Sequence, residues 1–219
     1  DTIYDSIVWA TPELKSQDTQ TDTSTPTPYT FLTTDELKNL PTTKWRVKGL
    51  FLDKGLASIY GPSGSGKSFL ALDLMATIVR GTNFYGSKAN PCPVVYVALE
   101  GTGGIANRIQ AYETYHNIKL PNRFRIVTDM LSLFNSDAKI FAAAVKEAGL
   151  DVGVIVIDTL AQSAPGSDEN SSADMGRIIS NAQLLQRETN GLVVLIHHTG
   201  KDASRGARGH SSLFAALDA

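Results

Sequence analysis

Residues 61–68 read Gly61-Pro62-Ser63-Gly64-Ser65-Gly66-Lys67-Ser68. The spacing is G-x-x-x-x-G-K-S/T. It directly follows the apolar run Leu56–Tyr60 and directly precedes an amphipathic stretch that Phe69 opens. Between a strand and a helix, this spacing lets backbone N–H groups turn inward around a β-phosphate at the positive end of the helix. Lys67 adds a point charge for the β- and γ-phosphates, and the Ser68 hydroxyl can ligate Mg2+. The segment Gly61–Phe69 is therefore expected to hold a nucleoside triphosphate.

A second segment supplies the other half of such a site. Val154-Ile155-Val156-Ile157-Asp158-Thr159 is an apolar run ending in a carboxylate. An acid at the end of a buried strand can hold a water on Mg2+ opposite Ser68, which makes Asp158 the second expected metal residue. Two further apolar runs end in polar groups. Glu100 closes Val94–Leu99 and is followed by Gly101, Gly103 and Gly104, while His197 and His198 close Leu192–Ile196. Ligands of an open α/β sheet sit at the carboxyl ends of its strands, so these groups should converge on the phosphates. Hydrolysis needs a carboxylate that orients water, and Glu100 is the candidate base. A histidine donating to a γ-phosphate can tell triphosphate from diphosphate. A zinc site at the histidine pair is disfavoured, because no carboxylate or Cys partner lies at metal-ligand spacing.

Positioning these groups requires a sheet. The runs Leu56–Tyr60, Val94–Leu99, Phe124–Val127, Val154–Ile157 and Leu192–Ile196 are apolar at successive positions, as strands covered on both faces are. Helical stripes lie between them: Phe69, Leu70, Leu72, Met75, Ala76 and Val79; then Ile105, Ile109 and Tyr112. Ile140, Phe141, Ala144 and Val145 form the next, and Ile178, Ile179, Ala182 and Leu185 the last. Strand and helix in alternation predict an α/β domain with a mostly parallel sheet and helices on both faces. Ahead of it, Asp18–Thr30 reads DTQTDTSTPTPYT, with too little apolar content to offset ordering entropy, and is read as a low-complexity linker. The expected division is therefore an N-terminal segment and linker over 1–30 and the α/β domain over 31–219. A short helix starting at Thr34 and ending before Pro41 opens the second part.

Composition bounds the partners. The 219 residues carry 20 Lys+Arg against 22 Asp+Glu, so bulk positive charge does not coat nucleic acid and any polyanion contact is local. A single Cys excludes a disulfide framework and a zinc cluster. No apolar run is long enough for a membrane span, and the N-terminus lacks the basic-then-apolar order of a signal peptide. A cytoplasmic protein without membrane contact is expected.

The P-loop, VALEG around Glu100, VIVIDT around Asp158, VVLIHHTGKD around His197 and His198, and RGHSSL from Arg208 occur in that order. Together they resemble the RecA-like ATPases of the RepA type, the hexameric replicative helicases of plasmids and phages. The likeness runs from about Trp45 to the C-terminus. It implies a RecA-like P-loop fold, ATP with Mg2+ as cofactors, and a homo-oligomeric, hexameric ring translocating on single-stranded DNA. It also implies that Glu100 is the general base and that the histidine motif senses the γ-phosphate, with His198 preferred and His197 the alternative. An arginine from the neighbouring subunit reaches the γ-phosphate in that family. Arg208 matches it best, and Arg205 lies close enough to be confused with it.

Two segments bear on DNA. Ser163–Ala173 follows the Asp158 strand, as a DNA-facing loop does in the resembled family, but carries Asp168 and Glu169 and no Lys or Arg. The basic cluster lies instead in Gly200–His210, with Lys201, Arg205, Arg208 and His210. The chain stops at Ala219, where the resembled family continues with further strands, so the C-terminal strands of the domain are expected to be missing from this sequence. Two rivals stand beside the helicase reading. One is a non-translocating regulatory or recombination-mediator ATPase of the RecA or clock type. The other is a P-loop small-molecule kinase, against which Glu100 and the His-His-Thr-Gly segment argue.

Overall fold

The computed structural model describes residues 29–42, 44–151, 153–199 and 210–219. The expectations for residues 1–28 and for Lys201, Arg205 and Arg208 lie outside the described residues. The chain forms two compact units, divided between Pro41 and Thr42. In the first, α1 (Thr34–Lys38) starts at a capping box. Thr33 accepts from the Glu36 amide while the Glu36 carboxylate accepts from the Thr33 amide. The helix starts at Thr34 as expected, and Thr33 caps it because Glu36 stands at the third helical position.

The second unit is built on a five-stranded sheet. Its strands are β3 (Gly55–Gly61), β6 (Val94–Ala98), β7 (Phe124–Val127), β8 (Val154–Asp158) and β9 (Leu192–His198). The order across the sheet is β3-β9-β8-β6-β7, and every pairing is parallel. All strands therefore end on the same side, which brings Gly61, Ala98, Asp158 and His198 to one edge. Two short antiparallel pairs accompany the sheet: β1 (Trp45–Val47) with β2 (Phe51–Leu52) precedes β3, and β4 (Asn83–Phe84) with β5 (Ser87–Lys88) lies between β3 and β6.

Alternation along the strands divides the core in two. One cluster joins Val94, Tyr96, Val156, Val194 and Ile196 to Leu72, Met75 and Ile78 of α2 (Lys67–Arg80), with α3 (Thr102–His116) contributing Ile105. The other joins Val95, Val97, Ile155, Val193 and Leu195 to α4 (Asp137–Glu147), α5 (Ser172–Thr189) and α6 (Ser212–Ala215). The sheet is covered on both faces, which is why its strands read as unbroken apolar runs. Two stripe assignments are corrected. Ile140 is 74% exposed and Ala144 is exposed as well, because α4 buries the face made by Ala138, Ala142 and Val145. Phe69 and Leu70 stand out of the core where α2 leaves the P-loop.

β3 is an edge strand, and its free side is met by the last described residues. The Asp218 amide donates to Leu56 O (2.8 Å), the Ser58 amide donates to Ala219 O (3.1 Å), and the Asp218 carboxylate accepts from the Leu56 amide (2.9 Å). Covered edge groups are no longer open to strand pairing with another chain.

Candidate active site

The P-loop connects β3 to α2. Gly64 (φ +75°) and Gly66 (φ +86°) take the left-handed conformation that side chains disfavour, and a Cβ at either would stand in open space. Conformation, not crowding, selects glycine here. Gly66 caps α2 without a side-chain hydrogen bond, and the first turn carries no acid. The leading amides of α2 are thus uncapped by any side chain, the arrangement that receives an anion at a helix N-terminus.

Lys67 is buried, and its ammonium donates to Gly61 O (3.0 Å) and Pro62 O (2.7 Å). It also lies 3.2 Å from His198 Nδ1. Opposite the P-loop, the other ring nitrogen, Nε2, is 3.6 Å from Glu100 Oε2. Glu100 is half exposed, and its backbone is anchored. The amides of Leu99 and Glu100 both donate to Asp158 O (2.7 and 3.1 Å), tying the Glu100 segment to the end of β8.

Asp158 is 1% exposed. Its Oδ2 accepts from the Tyr96 hydroxyl at 2.6 Å, while Oδ1 is buried with no hydrogen-bond partner. A buried carboxylate oxygen without a donor is costly unless something else satisfies it. Hard oxygen donors from Ser68 and Asp158 suit Mg2+, and the orphaned Oδ1 is the acceptor that a metal-bound water would use. Tyr96 is fully buried, and burial followed by the adjacent Asp158 charge holds its phenol proton well above the ordinary range. The phenol is therefore a permanent donor to Asp158 near neutral pH.

Of the expected residues, Ser63, Gly64, Gly66, Lys67, Ser68, Phe69, Glu100 and His198 line one cleft. Gly61 and Pro62 contribute the carbonyls that hold Lys67, and Ser65 closes the loop through its amide to Pro62 O. His197 is placed elsewhere. It is 0% exposed and shares its face of β9 with Val193 and Leu195, the side away from the P-loop helix. Three cleft or near-cleft residues had no assigned role. Arg108 comes from α3 and lies over the Phe69 ring at 5.3 Å; Thr159 follows Asp158, its Oγ1 buried without a hydrogen-bond partner. Tyr96 is the third. Only Tyr96 left a usable signal, since a tyrosine inside a fully apolar strand must find a partner for its hydroxyl.

A family model for AAA domains matches residues 22–204. The chain belongs to the AAA domain family. Among solved structures, the RadB recombinase aligns with this AAA domain at 18% identity, over 76% of this chain and 73% of that one, with a TM-score of 0.47. The domain is an ATPase-type P-loop module, in which β9 separates the P-loop strand β3 from the Asp158 strand β8. Among its described residues, no helix is long and apolar enough to cross a membrane.

Proposed function

We propose that this AAA domain hydrolyses Mg-ATP as one subunit of a ring and uses the cycle to translocate on single-stranded DNA, as a RepA-type replicative helicase. One observation carries the hydrolytic part: Lys67, His198 and Glu100 form a continuous line across the mouth of the cleft. An incoming triphosphate gives Lys67 a stronger acceptor than the Gly61 and Pro62 carbonyls, which releases His198 Nδ1. The histidine then turns a donor towards the γ-phosphate. Glu100 accepts a proton from water as the oxygen attacks phosphorus and the bond to the ADP oxygen breaks. Mg2+ held by Ser68 and Asp158 would neutralise charge on the phosphate oxygens.

The ring and the DNA are supported by the resemblance of VVLIHHTGKD and RGHSSL to the RepA-type helicases, with Arg208 as the residue reaching a neighbour's γ-phosphate. A non-translocating regulatory or recombination-mediator ATPase is favoured by a different observation. The segment after β8 has no basic residue. Its Asp168 carboxylate accepts from the Asn170 amide, and its Glu169 carbonyl accepts from the His210 amide. Ser163 and Ala164 are buried, so the part of that segment facing solvent is shorter than its sequence suggests.

The deciding experiment is ATP turnover with and without single-stranded DNA, run beside Lys67→Ala, Arg208→Ala and a mixture of the two variants. The helicase reading expects DNA stimulation and partial rescue on mixing, because mixed rings rebuild sites with one intact lysine and a neighbour's intact arginine. DNA-indifferent turnover moves the assignment to the regulator.

A further inference from the structure

We infer that Tyr96 is a positioning residue for the metal site: its hydroxyl occupies Oδ2 of Asp158, leaving Oδ1 as the oxygen offered to the metal or its water. The inference rests on the Mg-ATP reading above and adds a residue that no sequence motif assigns. Its support is geometric. The hydroxyl-to-carboxylate bond is 2.6 Å, a charge-assisted distance, and both residues are 0–1% exposed. The two carboxylate oxygens are treated differently by the fold, one satisfied and the other buried with no partner. Nothing in the packing explains an acid abandoned at one oxygen, whereas a cation site does.

Register shows how the contact arises. On the sheet, Tyr96 pairs with Val156 and Ala98 pairs with Asp158. Tyr96 and Asp158 therefore share one face of adjacent strands at a diagonal offset, within the reach of a long aromatic side chain. The same face carries α2, and the Ser68 hydroxyl is a further polar neighbour of the phenol oxygen. Tyr96 thus stands between both expected metal residues. Without its hydroxyl, Oδ2 of the buried Asp158 carboxylate loses its donor and the orientation of Oδ1 is no longer fixed.

The test is equilibrium binding of a fluorescent ADP analogue to the whole chain, titrated with Mg2+ and repeated with a chelator, for the unmodified protein and Tyr96→Phe. The Mg2+ concentration supporting binding should rise about tenfold in Tyr96→Phe, the loss expected for one hydrogen bond to a charged group, with chelator-arm affinity unchanged. A purely structural tyrosine would shift both arms or neither. An unchanged Mg2+ requirement in a folded Tyr96→Phe overturns the inference and leaves the Mg-ATP reading intact. Failure of the unmodified chain to bind nucleotide in a Mg2+-dependent way overturns both. If Tyr96→Phe does not fold, 4-fluorophenylalanine at this position keeps the ring volume while removing the donor, and the same outcomes decide.

Discussion

Lys67 and His198 meet across the cleft at 3.2 Å, from the ammonium to Nδ1. An ammonium has three donors and no acceptor, so in this contact Nδ1 is the accepting atom. The other ring nitrogen, Nε2, faces Glu100 Oε2 at 3.6 Å. A single imidazole therefore connects the P-loop lysine to the candidate base, and whatever draws Lys67 away from it reorganises both.

Replacing the two histidines should separate their roles. His198→Ala is expected to lower ATP turnover about 100-fold with little change in melting temperature, as removal of one donor to developing charge does elsewhere. His197→Ala should do the reverse, costing about 1–3 kcal/mol of stability for a side chain that is 0% exposed, with turnover per folded molecule retained. Turnover and thermal unfolding measured on both variants check the pair.

Glu100→Gln keeps the shape of the side chain and removes its basicity. Turnover should fall about 100- to 1000-fold while ATP binding persists. Because the Glu100 side chain is 50% exposed, stability should change by less than about 0.5 kcal/mol. Single-turnover kinetics alongside equilibrium ATP binding distinguish this from a binding defect.

Gly191, just before β9, lies against the backbone of Gly153 just before β8. A Cβ at Gly191 would collide with the Gly153 carbonyl oxygen, which is held in place because it accepts from Leu192 N. Gly191→Ala should therefore destabilise by about 1–3 kcal/mol. Thermal unfolding reads this directly, and Gly103→Ala, where a Cβ meets nothing within 4 Å, is the control.

Burial pushes the Cys92 thiol from its ordinary value of 9.0 up to about 11. Below pH 9 both folded and unfolded chains hold the proton, and the contribution to stability is complete. As pH rises towards 11 the unfolded chain loses the proton first, so this stability is lost. At about 1.4 kcal/mol per pH unit, the loss is of order 2–3 kcal/mol. Urea unfolding at pH 8.5 and about pH 10.5 should show a smaller drop in Cys92→Ala than in the unmodified chain, and the thiol should resist alkylation until the protein unfolds.

Where a physical constraint was local, the sequence by itself determined the outcome. The P-loop was legible because glycines at positive φ and the Lys67-Ser68 pair are chemical requirements written in adjacent residues. The sheet strands were legible because burial on both faces demands apolar residues at every position, and observed ends differ from those expected by little. Glu100, Asp158 and His198 were named because parallel strands must deliver their final residues to one edge. The short pairs β1–β2 and β4–β5 were not foreseen, since two- and three-residue strands carry no periodicity. Tertiary structure alone decided which face of β9 meets α2, and so which of two adjacent histidines enters the cleft. It also decided that Tyr96 reaches Asp158 and that Arg108 reaches Phe69. Those contacts join residues far apart in the chain, and only the strand order and the register between neighbouring strands bring them together.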